Sequence, residues 1–151
     1  MPKQLPFSYA TINFFSHRTP FVLKKKRLIR QWIEETAENE GRFIGDISYM
    51  FGNDEYVLEV NRQFLQHDFL TDIITFDYCE GVQLNGDIVI SIDRVRENAR
   101  LFHVRPEEEL HRVIIHGILH LCGYKDKSRK EAARMRYKED YYLQLFPSNN
   151  L

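Results

Sequence analysis

Two histidines and an aspartate in the C-terminal half of the chain have the residue types and spacing of a metal site. His116 and His120 are four positions apart, so on a helix both imidazoles project from one face and can bind the same ion. Gly123 can end that helix in a left-handed conformation and turn the chain back. Asp126 is then placed to provide a carboxylate oxygen. These side chains predict a site for one divalent ion, with a coordination position left open for water.

The sequence around the two histidines separates a metal site from a chance pair. His116 and His120 interrupt an apolar run, and a plain core helix has no reason to bury two imidazoles. The apolar positions are Val113, Ile114, Ile115, Ile118, Leu119 and Leu121.

The remaining histidines fit the site less well. His111 falls on the opposite side of the helix from His120, at nine positions' separation. His103 precedes the helix, and His17 and His67 are distant in sequence. We interpret all four as surface or local hydrogen-bonding residues, and only His67 as a candidate for the surrounding cleft.

The spacing H-x-x-x-H-x-x-G-x-x-(H/D) is also that of the metzincin proteases, but the residue after the first histidine is Gly117 and not the glutamate that acts as their base. Peptide hydrolysis by that mechanism is disfavoured, although a hydrolase of peptides or small molecules stays open as a third hypothesis. No general base is predicted. Glu109 lies on nearly the same helix face as His116, but two turns away, and we interpret it as a partner of the helix dipole.

Local signals predict the two helices that must position these residues. Pro106 and three following glutamates are typical of a helix start, and this helix is expected to run to about Leu121. Ser128 and Glu131 form a capping-box pattern that opens a last helix, which Pro147 terminates.

The upstream chain contains strand and helix patterns in alternation. Expected strands cover residues 7–15, 43–51, 72–78 and 87–92; expected helices run from Thr19-Pro20 to before Gly41, from a cap at Asp54 to about Leu65, and over 93–102. The last two strands are close enough to form a hairpin. About four strands and five helices predict an α+β fold, a sheet covered by helices with the metal site on and just after a helix of the C-terminal half.

Composition bounds the functional classes. With 151 residues, 43% of them hydrophobic and 28% charged, the chain is expected to form one domain over residues 1–151. A net charge of -1 excludes a global basic field, so any nucleic-acid contact must be local. The dense basic run from Lys24 to Arg27 could contact phosphates, but a solvated helix face is the favoured interpretation.

Two further features bear on location. Cys79 and Cys122 form no C-x-x-C pair, which predicts reduced thiols and neither a disulfide framework nor a cysteine zinc site. No stretch approaches the roughly 18 apolar residues of a membrane span, and the first residues lack a secretory pattern. We expect a cytoplasmic protein without a membrane partner.

Three sequence blocks resemble one known family. HGILHLCGY (116–124) resembles the H-G-x-L-H-L-x-G-Y signature of the YbeY family of bacterial rRNA-maturation endoribonucleases. Upstream, TDIITF (71–76) is similar to that family's T-D-V-L-S-F, and NGDIVIS (85–91) to its G-D-I-V-I-S. The blocks occur in the family's order, and the resemblance spans about residues 55–135.

The resemblance implies an α+β fold and a zinc-dependent, single-strand-specific endoribonuclease that acts in late 16S rRNA maturation and ribosome quality control. It implies one zinc ion per chain, and rRNA or the small ribosomal subunit as partner, with no DNA. His116 and His120 carry over as ligands, while Asp126 stands where the family has a third histidine. An ion there would polarise a phosphoryl oxygen or acidify water.

The chain departs from the family at a second place. In FLQHDFLTD (64–72), Leu65 stands at the position of an arginine that the family usually has, and Leu70 at that of a proline. The expected phosphate-contacting cation is therefore missing, and Arg62, one turn earlier, could compensate only in part. This absence keeps a rival hypothesis open, a ribosome-associated RNA-binding factor with a structural metal.

Overall fold

A computed structural model describes residues 10–147, which contain four strands and five helices. In chain order these are β1 (Thr11–His17), α1 (Lys26–Asn39), β2 (Phe43–Gly52), α2 (Asp54–Leu65), β3 (Ile73–Asp77), β4 (Gln83–Ser91), α3 (Ile92–Phe102), α4 (Pro106–Leu121) and α5 (Arg129–Gln144). The predicted α+β fold is confirmed. None of these helices combines the length and apolar character that a membrane crossing requires.

The strands form one sheet in the order β1-β2-β4-β3. β1 and β2 are parallel, as are β2 and β4, whereas β3 and β4 form the predicted antiparallel hairpin. β3 is thereby an edge strand. α4 contacts β3 and β4 on one side and α3 and α5 on the others, so α4 side chains that turn away from the sheet lie beside this edge and beside α5.

Alternation along the strands gives the sheet two buried faces. Ile47, Tyr49 and Phe51 of β2 are fully buried in the main core, which also contains side chains of α1, α3, α4 and α5. A smaller cluster on the other face joins α2 to the sheet through Val57, Val60, Ile74 and Val89. The period of two thus places helices on both faces of the sheet.

The rotation of α4 about its own axis is fixed by close packing. A Cβ atom at Gly117 would lie 2.9 Å from Ile88 Cδ1 and 3.2 Å from Ile73 Cδ1, so only glycine lets the helix approach the sheet this closely. The Tyr49 hydroxyl donates a buried hydrogen bond of 2.8 Å to the Ile114 carbonyl. Because Gly117 faces the sheet, the adjacent His116, about 100° away around the helix axis, projects to the side, into a cleft that residues of β3 also line.

The first helix begins later than predicted. α1 begins at Lys26, not at Thr19-Pro20. The Thr19 hydroxyl accepts a hydrogen bond from the Phe21 backbone N–H two residues on, which is the pattern of a local turn and competes with helix capping. The predicted strand 7–15 begins outside the described residues, and β1 covers Thr11–His17.

Two other helix ends differ in detail. Asn53, and not Asp54, caps α2 by accepting from the Tyr56 N–H; Asp54 instead accepts from the Ser91 hydroxyl at 2.7 Å and ties α2 to the start of α3. α5 begins at the predicted capping box but ends at Gln144, before Pro147.

The interpretation of His111 as a surface or local hydrogen-bonding residue is wrong. Its side chain is buried, 7% exposed, and its ring centroid lies 4.4 Å from that of Phe146 and 6.0 Å from that of Trp32. The predicted side of α4 is correct, but α1 and the segment after α5 cover that side. Burial lowers the pKa of His111 to about 4, since the charged ring is disfavoured away from water.

The buried imidazole predicts a loss of stability in mild acid. His111 stays neutral in the folded chain down to pH about 4 but takes up a proton below about 6.5 when unfolded, so the free energy of unfolding should fall through that window, by on the order of 3 kcal/mol. Chemical denaturation of wild type and His111→Phe between pH 4 and 7 measures this. Identical pH slopes for the two proteins would contradict the assignment.

Candidate metal centre and its cleft

The structure brings the three predicted ligands together. Asp126 Oδ2 lies 3.3 Å from His116 Nε2 and 3.4 Å from His120 Nε2, and one ligand atom from each residue lies within 4.8 Å of the others. Two atoms that bind one tetrahedral zinc ion at roughly 2.0–2.1 Å are about 3.3–3.4 Å apart. The donor set of two imidazoles and a carboxylate, at this spacing, fits a divalent ion.

The turn after α4 places Asp126. Gly123 adopts φ +104°, and the Tyr124 N–H returns to the Leu119 carbonyl at 3.1 Å. The Tyr124 hydroxyl donates to Glu40 Oε1 at 2.8 Å, which fastens the turn to the end of α1. The chain therefore reverses within a few residues and presents the carboxylate to the helix face that it has just left.

Glu139 of α5 contacts His116 at Nδ1, the ring nitrogen that is not the candidate metal ligand atom. His116 Nδ1 and Glu139 Oε2 are 2.5 Å apart, and the glutamate is buried. A carboxylate at Nδ1 keeps the proton there and leaves Nε2 free to bind a metal. Arg112 Nη1 donates to the other carboxylate oxygen, Oε1, at 3.0 Å. Sequence reasoning missed Glu139, because the capping box predicts α5 but not the face that it turns to α4.

The pKa values of the two histidines are shifted in opposite directions. Burial lowers the pKa of His116, but the hydrogen bond and charge of Glu139, with the charge of Asp126, outweigh it and raise that pKa above its ordinary value. Burial and the neighbouring His116 lower the pKa of His120, with Asp126 in opposition. An incoming ion would therefore displace a proton mainly from His116.

The three candidate ligands line a cleft of about 920 Å³. Its walls come from the segment between α2 and β3, from β3, from the end of α3, and from α4 and α5. Charged side chains among the lining residues are Asp72, Asp77, Glu109, Arg112, Asp126, Lys127, Arg136 and Glu139. The size and the mixed polarity are typical of a ligand site.

Two carboxyl groups of the cleft have raised pKa values. Glu109, interpreted from the sequence as a dipole partner, is 5% exposed and lines the cleft, and burial raises its pKa. Burial also raises the pKa of Asp72, although the charge of His116 opposes the shift. Carboxyl groups with raised pKa values in a cleft are candidates for acid and base roles. The sequence could not identify them, since both depend on tertiary packing.

The cations that line the cleft are not those that the sequence singled out. Arg62 pairs with Asp68 at 2.5 Å and is not among the residues that line the cleft. In the basic run, Lys25 pairs with Glu107 at 3.4 Å, and none of Lys24 to Arg27 lines the cleft. Arg112 and Arg136 do line it.

Comparison with known proteins identifies the family. The sequence pattern of the family described as endoribonuclease YbeY matches residues 13–147. The chain belongs to this family. A Porphyromonas gingivalis endoribonuclease YbeY is 53% identical over 134 residues, 89% of each chain. A Parabacteroides distasonis protein of the same name is 55% identical over 123 residues, 82% of this chain and 87% of the relative.

The fold of the chain is similar to that of a solved structure. The solution structure of a Thermotoga maritima protein matches with a TM-score of 0.62 and 29% identity, over 89% of this chain and 87% of that one. Leu65, at the position where the sequence resemblance leads us to expect an arginine, lines the cleft. In this YbeY-family chain, Arg112 and Arg136 are the guanidinium groups that line it.

We expect His116→Ala and His120→Ala each to abolish stoichiometric metal binding, because two remaining ligands cannot hold the ion. Elemental analysis of purified protein measures the metal content. His67→Ala is the matched control and should keep one ion per chain, since His67 lines the cleft but lies outside the three-residue cluster. One tightly bound ion in either ligand variant would overturn the assignment.

Asp126 can be tested by a pair of substitutions. Asp126→His should bind zinc at least as tightly as wild type, because imidazole is a good zinc ligand. Asp126→Ala should weaken binding by more than the roughly 10–100-fold that loss of a residue behind a ligand costs. Chelator competition gives the three affinities. Equal affinities would show that Asp126 is a surface acid.

Proposed function

We propose that this chain is a zinc-dependent, single-strand-specific endoribonuclease that acts in late 16S rRNA maturation and ribosome quality control. The observation that carries the proposal is the convergence of His116, His120 and Asp126 in one cleft with acidic and basic side chains. Membership of a family whose relatives are named endoribonuclease YbeY gives the reaction class. The proposed partner is rRNA, free or within the small ribosomal subunit.

A divalent ion held by the three ligands would supply Lewis-acid chemistry, polarising a phosphoryl oxygen and making water more acidic. Glu139 keeps the Nδ1 proton of His116 in place, so that the imidazole presents Nε2. Arg136, with its side chain 53% exposed, and Lys127 line the cleft and can contact phosphate oxygens. Arg112 is held by Glu139 and by Asp140, at 3.0 and 2.8 Å, and fixes the glutamate.

Asp72 is the proposed proton acceptor. It lines the cleft directly before β3, and the charges of His116 and Asp126 act on it, which places it near the ligand cluster. Its carboxylate accepts from Asn98 Nδ2 at 3.5 Å. A raised pKa brings a carboxylate closer to the working pH, as a general base requires. In this role Asp72 takes the proton of the attacking hydroxyl, either the 2′-hydroxyl of RNA or water.

Asp72→Asn should lower the cleavage rate by roughly 10²- to 10⁴-fold, while metal content and RNA affinity stay unchanged, because the amide keeps the shape but cannot accept the proton. Single-turnover cleavage of precursor 16S rRNA, an unrelated single strand, a duplex and a DNA strand of the same sequence measures rate and specificity. Asp87→Asn, an exposed position on β4, is the control and should cleave like wild type.

The rival hypothesis, an RNA-binding factor with a structural metal, predicts different results. Metal-loaded wild type would then bind rRNA without cleaving it, and removing the metal would unfold the chain. Cleavage that persists in Asp72→Asn at the wild-type rate would instead reject the role of Asp72. Equal cleavage of DNA and RNA would reject the 2′-hydroxyl as the attacking group.

A further inference from the structure

The cleft has an apolar and aromatic part that metal chemistry does not require. Leu65, His67, Phe69 and Phe102 all line it. Phe69 is 55% exposed and Phe102 54% exposed, and burying such rings against a ligand removes apolar surface from water. His67 and Phe69 stack on one another, with ring centroids 5.1 Å apart and planes inclined by 21°.

The backbone holds this aromatic pair in place. Asn61, a buried residue of α2, donates from Nδ2 to the Phe69 carbonyl at 2.9 Å, and its own carbonyl accepts from the His67 N–H at 3.1 Å. Gln66 ends α2 with φ 57°. The exposed rings therefore sit on a fixed turn, and binding a ligand there costs little ordering.

The rest of the cleft points to the chemical class of the ligand. Arg136 and Lys127 bring positive charge from α5 and the segment before it, and the candidate metal ligands His116, His120 and Asp126 line the same cleft. Flat aromatic rings next to cations are what proteins use to bind unpaired nucleotides, with bases stacked and phosphates paired. A second protein chain would need a broad apolar face, whereas charged side chains line the same cleft as these rings.

We propose that Phe69 and Phe102 form a stacking subsite for an unpaired base of the RNA strand. The base would lie next to the phosphate at the three candidate metal ligands, and His67, stacked on Phe69, would support that ring. The inference rests on the proposed function for the identity of the strand. Stacking tolerates any base but requires that the base be unpaired. The subsite thus selects single strands before any chemistry takes place.

The test is equilibrium binding of the metal-loaded protein to a short 2′-O-methyl RNA strand, with the integrity of the strand checked on a gel. Phe69→Ala and Phe102→Ala should each weaken binding by roughly 5- to 150-fold, the range measured for loss of one stacked base. Phe69→Tyr should restore it. Phe15→Ala removes a phenyl ring that is 49% exposed on β1, outside the cleft, and is the matched control that should bind like wild type.

A base analogue separates stacking from a structural effect. When each nucleotide in turn is made abasic, one position should weaken wild-type binding and leave Phe69→Ala binding unchanged. A 2-aminopurine at that position should lose fluorescence on wild type but not on Phe69→Ala. Affinities of both alanine variants equal to wild type, or no position that responds to base removal, would overturn the subsite.

The outcome is independent of cleavage. If the chain cleaves RNA but the alanine variants bind normally, the subsite is wrong and the proposed activity stands. If binding depends on the rings and on one base but no RNA is ever cleaved, the subsite stands and the proposed activity fails.

Discussion

The candidate site depends on the buried contact between α4 and α5 that runs through Glu139. One carboxylate oxygen meets His116 Nδ1 at 2.5 Å and the other accepts from Arg112 at 3.0 Å. A buried carboxylate alone is strongly destabilising, and partners on both oxygens offset that cost. The same contact orients the candidate ligand His116, anchors a guanidinium group that lines the cleft, and fixes α5 as one wall. Removing Glu139 would therefore disturb the ligand geometry and the shape of the cleft together.

This contact works only because α4 is itself fixed against the sheet. Gly117 allows contact with Ile88, and the Tyr49 hydroxyl holds the Ile114 carbonyl, so the helix cannot rotate without losing packing in the main core. The antiparallel β3 places a sheet edge beside the exposed face of α4, and Asp72, just before β3, enters the cleft from there. A metzincin protease has a glutamate directly after its first histidine. In this chain that position is Gly117, where the contact between α4 and the sheet leaves no room for a side chain.

The sequence predicted what is determined locally. The ends of α4 were predicted correctly from Pro106, the glutamates after it and Gly123, and the predicted capping box at Ser128 is present. These local signals are enough to predict that His116, His120 and Asp126 lie close together. Periodicity also put His111 on the opposite side of α4, but it could not show that Trp32 and Phe146 cover that side. The positions of Glu139, Arg112, Asp72 and Glu109 in the cleft were missed for the same reason. Each acquires its role from an element distant in sequence, and no local pattern records which helix face meets which neighbour.

The charge of the cleft links the ion to the RNA. Five acidic side chains line it against three basic ones, so without an ion the region repels a phosphodiester. A divalent ion would balance that difference of two charges, and it would do so at the three candidate ligands, where the proposed function places the scissile phosphate. The carboxylate of Asp126 contributes to this dependence, since a histidine there would leave the cleft less negative. In the proposed function, metal binding and strand binding are therefore coupled electrostatically, and the proposed stacking subsite supplies the share of affinity that does not depend on charge.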